Sequence, residues 1–370
     1  MIRTQDFPFQ SEYNDLIEKT DDDQVVQLYS FKECKRDSPS ELKKYRGVAY
    51  AGQRLLFRSY GFTPEYSTDE VDIVKEEHSF SNYRFFRSEE GTLLRVFHVE
   101  ENQKWYLSTH RKLDAFKSRW GNATNFGELF LDVLQTLYSD VSRINLWDYF
   151  VSKLDKGNAY FFLLRNTKDN RIVCTAPSEP TFYHIGTMVE NGTKYVMVDE
   201  NLPRQEELYF SGWEEVVDYV KSMNPFEVQG VIGIDGEGNQ VKILNNDHMM
   251  YTEVRANEPS ILYRYLQIRK NPEMVRKIHL LYPEYVSMFT EKESVILKVC
   301  NDIHKSYLSR YVYKKYTMVP KEDFRIMKDC HAWHQSDYKK NKVTLPVIAD
   351  MISREMFVPG LFSILKRLEK

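Results

Sequence analysis

A basic stretch about a third of the way along the chain has the residue types that bind phosphates. Residues 110–120 read HRKLDAFKSRW, so Arg111 and Lys112 lie close to further cations and to Trp120. Cationic side chains attract phosphate groups, and an aromatic ring gives a nucleic-acid base a surface to stack on. The stretch predicts a phosphate-binding surface. A solvent-exposed strand end or helix start is the alternative interpretation.

A second group of cations follows Val254 in the C-terminal part of the chain. The four candidates are Arg255, Arg264, Arg269 and Lys270. They could face the backbone of a nucleic acid. An exposed helix surface with charge pairs three or four residues apart would show the same pattern, so both interpretations stay open.

Cys330, His331 and His334 place one thiol and two imidazoles within five residues. Zinc in proteins usually needs four ligands, and the sequence has no second Cys or His pair nearby. We therefore predict no metal site here, but a packed segment of aromatic and histidine side chains. Histidines on a nucleic-acid surface are the intermediate alternative.

Composition sets further limits. The 370 residues suggest two or three domains, and the net charge of −3 gives no overall attraction to nucleic acid. Residues 261–370 hold 21 Lys and Arg against 12 Asp and Glu, so the C-terminal third is basic and the rest is acidic. The four cysteines form no CxxC pair, and neither a signal peptide nor a membrane span is expected. We predict an intracellular, cytoplasmic protein with no membrane partner.

The elements that must position these residues are mostly strands in the first two thirds of the chain. Residues 1–30 are polar with a helical tendency. Strand pairs are predicted on both sides of the Ala51-Gly52 turn, over 91–112, and over 228–244, where Asp235 begins the turn. Further strands are expected at 159–166, 171–176 and 193–200. Residues 126–138 have the apolar spacing of an amphipathic helix.

Helical patterns dominate after Pro259, including a long run over 293–316 that Pro320 should end. The prediction is an α+β fold, with an antiparallel-sheet domain over residues 1–258 and a basic helical domain over 259–370. The motifs of P-loop ATPases, serine hydrolases and HExxH metalloproteases do not occur in the sequence.

Short motifs between residues 45 and 245 resemble, in their order and spacing, those of the covalent nucleotidyltransferases, in particular the RNA ligase branch. Ligase-like proteins of large DNA viruses are the most similar group. The family's KxDG nucleophile motif corresponds to 88–91, its FEL and NRIV motifs to 161–164 and 170–173, its EGVV motif to 229–232, and its KxK motif to 240–242. The resemblance implies an ATP-grasp-like RNA ligase domain built on antiparallel sheets.

The family's chemistry explains which positions matter. A lysine attacks the α-phosphate of ATP, carboxylates help to hold a divalent metal, and the last lysines contact the phosphate. In this sequence Ser88 replaces the nucleophile, Leu163 and Gln229 replace the two carboxylates, and Gln240 replaces the first lysine of KxK. A serine hydroxyl cannot form the lysyl-nucleotide bond, and leucine cannot bind Mg²⁺.

The resemblance therefore implies a catalytically degenerate member with no certain cofactor, which binds RNA or a nucleotide through the former substrate groove. Its expected binding residues are Ser88, Glu90, Gly91, Arg111, Arg171, Gln229 and Lys242. Of the family's own residues, Gly91, Arg171 and Lys242 are retained at their expected places.

Two alternatives stay open. Residues 112–115 read KLDA, so Lys112 could be the nucleophile of an active enzyme that uses ATP and Mg²⁺. Against this, Lys112 lies one strand later than the family order expects. The second alternative is a structural component that binds other proteins of a larger viral assembly, in the virion or the viral factory.

Overall fold

The computed structural model describes residues 7–9, 11–120, 124–165, 172–189, 194–196 and 202–369. The chain divides into two compact units, Met1–Met250 and Tyr251–Lys370. All described strands belong to the first unit, and the described part of the second unit is helical. The predicted α+β fold, with antiparallel sheets followed by a helical region, is confirmed.

The described strands are β1 (Ile17–Asp22), β2 (Val26–Phe31), β3 (Arg46–Ala51), β4 (Arg54–Phe57), β5 (Glu65–Ser67), β6 (Tyr83–Ser88), β7 (Thr92–Val99), β8 (Lys104–Thr109), β9 (Ala159–Arg165), β10 (Thr181–Val189), β11 (Lys194–Val196), β12 (Gly230–Asp235) and β13 (Gln240–Leu244). They form three sheets, ordered β1-β2-β3-β4, β11-β10-β9-β7-β8 and β5-β13-β12-β6. All pairings are antiparallel except that of β5 with β13.

The described α-helices are α1 (Ser40–Lys43), α2 (Val71–Glu77), α3 (Phe126–Leu137), α4 (Leu146–Val151), α5 (Trp213–Ser222), α6 (Asn246–Arg255), α7 (Ile261–Ile268), α8 (Pro272–Leu281), α9 (Val286–Tyr307), α10 (Lys321–Ser336), α11 (Leu345–Met351) and α12 (Val358–Leu368). None of these helices is both long and apolar enough to cross a membrane.

The five-stranded sheet is buried on both faces, which explains the continuous apolar run in β9. Phe161 and Phe162 point to opposite faces because side chains alternate along a strand. Phe162 packs with Phe130 of α3, whereas Phe161 packs with Phe57 of the first sheet. The third sheet buries its outer face against α2 and α5. These layers leave the ends of β6, β12 and β13 at one open groove.

Three of the predicted elements differ in the structure. Residues 1–30 have a helical tendency in the sequence, but the structure forms the antiparallel pair β1 and β2 from Ile17 onwards. Residues 172–176, predicted as a strand, form no regular element among the described residues. The long helix α9 ends at Tyr307 and a π-helical turn follows at Leu308–Val312, well before Pro320.

The second unit has an apolar interior of its own. The rings of Tyr265 and Phe289 stack with their centroids 4.3 Å apart. Cys330 of α10 is fully buried, with its sulfur 3.3 Å from that of Met351. His331 stacks on Tyr311 at 3.8 Å. The Cys330 segment is thus packed among aromatic and sulfur side chains, as the sequence suggests.

Candidate functional site

A groove of about 960 Å³ opens in the first unit at the ends of β6, β12 and β13. This volume is at the upper end of the range for small-molecule sites. The groove has a polar and charged lining that includes Arg36, Arg46, Glu65, Glu70, Arg87, Ser88, Glu89, Gly91, Leu163, Gln229, Gln240 and Lys242.

Three of the predicted binding residues meet in the groove. The hydroxyl of Ser88 donates to Oε1 of Gln229 over 3.0 Å, and Nζ of Lys242 donates to the same oxygen over 3.3 Å. Ser88 is only 2% exposed. The positions that the motif resemblance aligns with a nucleophile, a carboxylate and a phosphate-binding lysine are therefore neighbours in this chain.

The third sheet explains why they meet. Strand β12 pairs with β6 on one side and with β13 on the other, so Gly230 lies opposite both Ser88 and Leu244. The amide of Gln229 donates to the carbonyl of Ser88 over 3.0 Å, which continues the ladder past the end of β12. Gly230 has φ of +155°, and a Cβ there would collide with the carbonyl of Ile243. A side chain at residue 230 would therefore disturb the site.

The groove also has a positive wall. Arg46 has no carboxylate within 4.0 Å among the residues that the structure describes, and its Nη1 donates only to the carbonyl of Gly61, at 3.4 Å. Arg95 behind it is fully buried and donates to the carbonyls of Gly47 and Thr109. Burial, together with the charge of Arg46, lowers the pKa of Arg95 to about 9.

His110 lines the groove beside these arginines. Burial lowers its pKa to about 3, helped by the charges of Arg46, Arg95 and Arg111. The imidazole is therefore neutral at neutral pH. Uncompensated arginines around a neutral histidine make this wall a favourable place for an anion such as phosphate.

The carboxylates of the groove do not fit a Mg²⁺ site, because each already has a cationic partner. Glu65 lies 3.2 Å from Lys242, and Glu70 lies 2.8 Å from Arg36. Glu89 lies 3.2 Å from Arg165. Leu163 and Gln229 also line the groove, but their side chains are uncharged and cannot act as the carboxylate ligands of a Mg²⁺ ion. The groove therefore lacks the free carboxylates that a Mg²⁺ ion bridging phosphates requires.

Arg111 and Lys112 lie in the turn after β8 and are not among the side chains that line the groove. Arg111 pairs with Glu18 at 2.9 Å, and Lys112 lies 3.9 Å from Asp21. The carbonyl of Lys112 accepts a hydrogen bond from the Thr109 amide. The turn thus faces the acidic edge strand β1. Arg171, the other cation predicted for the groove, lies outside the described residues.

Glu90 lies beside the groove, in a buried cluster that the sequence did not reveal. Its carboxylate is 3.0 Å from Nε2 of His248 and accepts from the amides of Ile172 and Val173. Cys174 is the third member of the cluster, and the ligand atoms of Glu90, Cys174 and His248 lie within 4.8 Å of one another. Residues 82 and 158 positions apart meet here, so no local spacing could have indicated the cluster.

In the second unit, the arginines predicted to contact nucleic acid make internal contacts. Arg255 is buried and donates to the hydroxyl of Tyr282 over 2.8 Å. Arg264 donates to the carbonyls of Val254 and Glu253. Arg269 pairs with Glu293, leaving Lys270 as the exposed member of the four.

Sequence comparison finds viral relatives. The chain is 29% identical over 300 residues to the "Immediate-early protein ICP-46 homolog" of Invertebrate iridescent virus 3, covering 78% of this chain and 65% of that protein. It is also 29% identical over 315 residues to the homolog of Invertebrate iridescent virus 6, covering 80% and 68%. The chain thus spans about two thirds of the length of these curated relatives. No family model matches the chain.

Structure comparison finds ligases. The structure of "Archaeal ATP-dependent RNA ligase - form 1" is 12% identical with a TM-score of 0.43, covering 71% of this chain and 66% of that one. "Putative ATP-dependent DNA ligase from Aquifex aeolicus" is 11% identical with a TM-score of 0.42, covering 79% and 78%. At these identities the likeness concerns the fold alone. The sequence matches show that the chain has viral homologues.

Proposed function

We propose that this chain binds RNA or a nucleotide in its groove and does not transfer a nucleotidyl group. The observation that carries the proposal is the meeting of Ser88, Gln229 and Lys242 in the groove. A hydroxyl stands where the chemistry needs an amine, and a neutral amide stands where it needs a metal-binding carboxylate. Lys242, the cation that would contact a phosphate, is retained.

The charge of the groove supports a phosphate-bearing ligand. Among the described residues, neither Arg46 nor the buried Arg95 forms a salt bridge with a carboxylate, and both donate to backbone carbonyls instead. A bound phosphate would offset this unbalanced charge. Lys242, which shares its ammonium between Glu65 and Gln229, can turn towards the same ligand.

The first test is a titration of the full chain with fluorescently labelled single-stranded RNA at two salt concentrations, with ATP and AMP as competitors. We expect affinity to fall steeply as salt rises, because phosphate binding releases counterions. Arg46→Gln should weaken binding about tenfold and reduce the salt slope by about one. Lys156→Gln, an exposed lysine outside the groove lining, is the charge-matched control.

Competition separates the two ligands. Displacement of RNA by ATP or AMP would show a nucleotide site in the groove, and RNA binding without displacement would show a backbone site. No binding of either at low salt would refute the proposal. It would then favour the alternative of a viral assembly component, to be tested by co-purification with that assembly.

The enzymatic alternative has its own test. Incubation with α-³²P-labelled ATP or GTP and Mg²⁺ should leave the protein unlabelled. A label that is retained on denaturation, and is lost in Lys112→Ala but not in Lys117→Ala, would revive the active enzyme. The pairing of Lys112 with Asp21, outside the groove lining, is why we expect no label.

The relatives are named as immediate-early proteins of iridoviruses. From this similarity we propose that the chain acts in an infected cell, in the cytoplasm or the viral factory. Fractionation of infected cells with an antibody to the chain tests this location.

A further inference from the structure

We propose that Glu90, Cys174 and His248 form a binding site for a transition-metal ion of the zinc class. The proposal does not depend on the groove binding RNA or a nucleotide. It rests on a cluster of three different ligand types that three separate parts of the chain bring together: the loop after β6, the segment after β9, and helix α6.

The ligand atoms are close enough together for one ion to bind all three. The ligand atoms of the three side chains lie within 4.8 Å of one another, and Nε2 of His248 is 3.0 Å from the Glu90 carboxylate. A zinc ion with bonds of about 2.0–2.3 Å holds neighbouring ligand atoms roughly 3–4 Å apart. Small side-chain movements would therefore admit the ion without a change of backbone.

The chemistry of the ligands suits zinc better than Mg²⁺. Mg²⁺ prefers oxygen ligands, whereas thiolate and imidazole together select zinc, cobalt and related ions. A Glu90 carboxylate, a Cys174 thiolate and a neutral His248 ring carry two negative charges. They would balance a divalent ion in a buried place.

Metal binding would involve the buried thiol of Cys174. Cys174 is 1% exposed, and its sulfur lies within 4.8 Å of the ligand atoms of Glu90 and His248. An ion would replace the thiol proton, so one proton is released for each ion bound.

The surrounding backbone supports the ligands. The amides of Ile172 and Val173 donate to the two carboxylate oxygens of Glu90 over 3.0 and 2.8 Å. Together with the hydrogen bond from His248, these bonds hold the pKa of Glu90 below its usual range despite burial. Outer hydrogen bonds of this kind orient metal-binding carboxylates and keep them ionised.

The cluster lies next to the groove, because Glu89 and Gly91, the two neighbours of Glu90, line it. Three protein ligands would leave one tetrahedral position for a water molecule.

The test is titration of the metal-free full chain with Co²⁺, followed by absorption spectroscopy. We expect one equivalent to bind, with a thiolate-to-cobalt charge-transfer band, and Zn²⁺ to displace it. Cys174→Ala should abolish the band and weaken binding at least about 100-fold, because it removes a direct ligand. Cys300→Ala removes another buried cysteine and should leave the spectrum unchanged.

A second measurement on the unmodified chain covers the case in which Cys174→Ala does not fold. Zn²⁺ calorimetry in two buffers of different ionisation enthalpy should show release of about one proton per ion. The absence of stoichiometric Co²⁺ or Zn²⁺ binding by the wild-type chain would overturn the proposal. So would equal binding by Cys174→Ala and Cys300→Ala.

Discussion

The hydroxyl of Ser88 is hydrogen-bonded to the side-chain carbonyl of Gln229 over 3.0 Å, although 141 positions separate the two residues in the chain. The partners are a neutral donor and a neutral acceptor, and Lys242 donates to the same oxygen. If residue 88 were a lysine, its amine would lie next to the ammonium of Lys242. Residue 229 would offer no carboxylate to offset the two charges. The present residues form a stable neutral pair, and this has consequences that can be measured.

Ser88→Lys should destabilise the chain and should not create ligase chemistry. It buries a second ammonium next to Lys242 at a position that is 2% exposed. We expect a loss of about 3 kcal/mol in the free energy of unfolding, against about 1 kcal/mol for Ser88→Ala, which removes one hydrogen bond. Urea denaturation of both variants checks this. Equal stability of Ser88→Lys and wild type would contradict it.

Gly230→Ala should be far more damaging than Gly52→Ala. Both glycines have positive φ, but a Cβ on Gly230 would collide with the carbonyl of Ile243, whereas one on Gly52 meets nothing within 4 Å. Gly52→Ala should cost about 1–2 kcal/mol for the backbone conformation alone. Gly230→Ala should cost more than about 3 kcal/mol, because a strand must also shift. Thermal unfolding of the two variants gives the comparison.

Much of the fold follows from local patterns in the sequence. The alternation in 92–109 and the turn chemistry around Asp235 predict strand pairs that the structure contains as β7 with β8 and β12 with β13. The strand β1 escapes prediction because it is an edge strand with charged side chains, and its apolar alternation is therefore weak. Residues 172–176 look like a strand, but the amides of Ile172 and Val173 bond to a carboxylate instead of a neighbouring strand.

His110 should make the chain less stable as the pH falls. Its pKa is about 3 in the folded state and about 6.5 when unfolded, so below pH 6.5 the unfolded chain takes up a proton that the folded chain does not. Between pH 7 and pH 5 this should cost about 2 kcal/mol. His110→Gln should lose that part of the pH dependence.

The measurement is the free energy of unfolding of wild type and His110→Gln at pH 7 and pH 5. The control variant is His98→Gln, which removes another histidine whose pKa is lowered by burial but keeps His110. A parallel loss of stability in wild type and His110→Gln would show that the imidazole titrates normally. NMR of the His110 ring should also show its pKa rising when phosphate occupies the groove.

Arg269→Ala should destabilise the second unit and leave RNA affinity unchanged. Its guanidinium donates to both carboxylate oxygens of Glu293 and to the hydroxyl of Ser353. Arg269 is 9% exposed and Glu293 is 38% exposed, so losing these charge-assisted hydrogen bonds should cost about 2 kcal/mol. Lys270→Ala, at the exposed neighbour, should leave stability unchanged. A loss of RNA affinity in Arg269→Ala at a temperature where it stays folded would support the sequence-based prediction that Arg269 contacts nucleic acid.

The candidate site could be predicted only where motifs of adjacent residues indicate it. Ser88, Gln229 and Lys242 could be proposed because each lies in a short motif with a known order. The isolated histidine and cysteine of the Glu90 cluster have no neighbours that mark them, and Arg46 becomes notable only when its surroundings lack a carboxylate. Which charges lie near one another in the folded chain cannot be read from the spacing of residues along the sequence.

Because β6 pairs with β12, a strand made early in translation must wait for a partner that is made much later. Strands β5 and β6 leave the ribosome about 150 residues before their partners β12 and β13. At translation rates of about 5–20 residues per second, their backbone edges wait on the order of ten seconds or more for a partner. During that interval the nascent chain carries open strand edges that other chains could join, so folding helpers that shield such edges should matter most for this protein while it is being made.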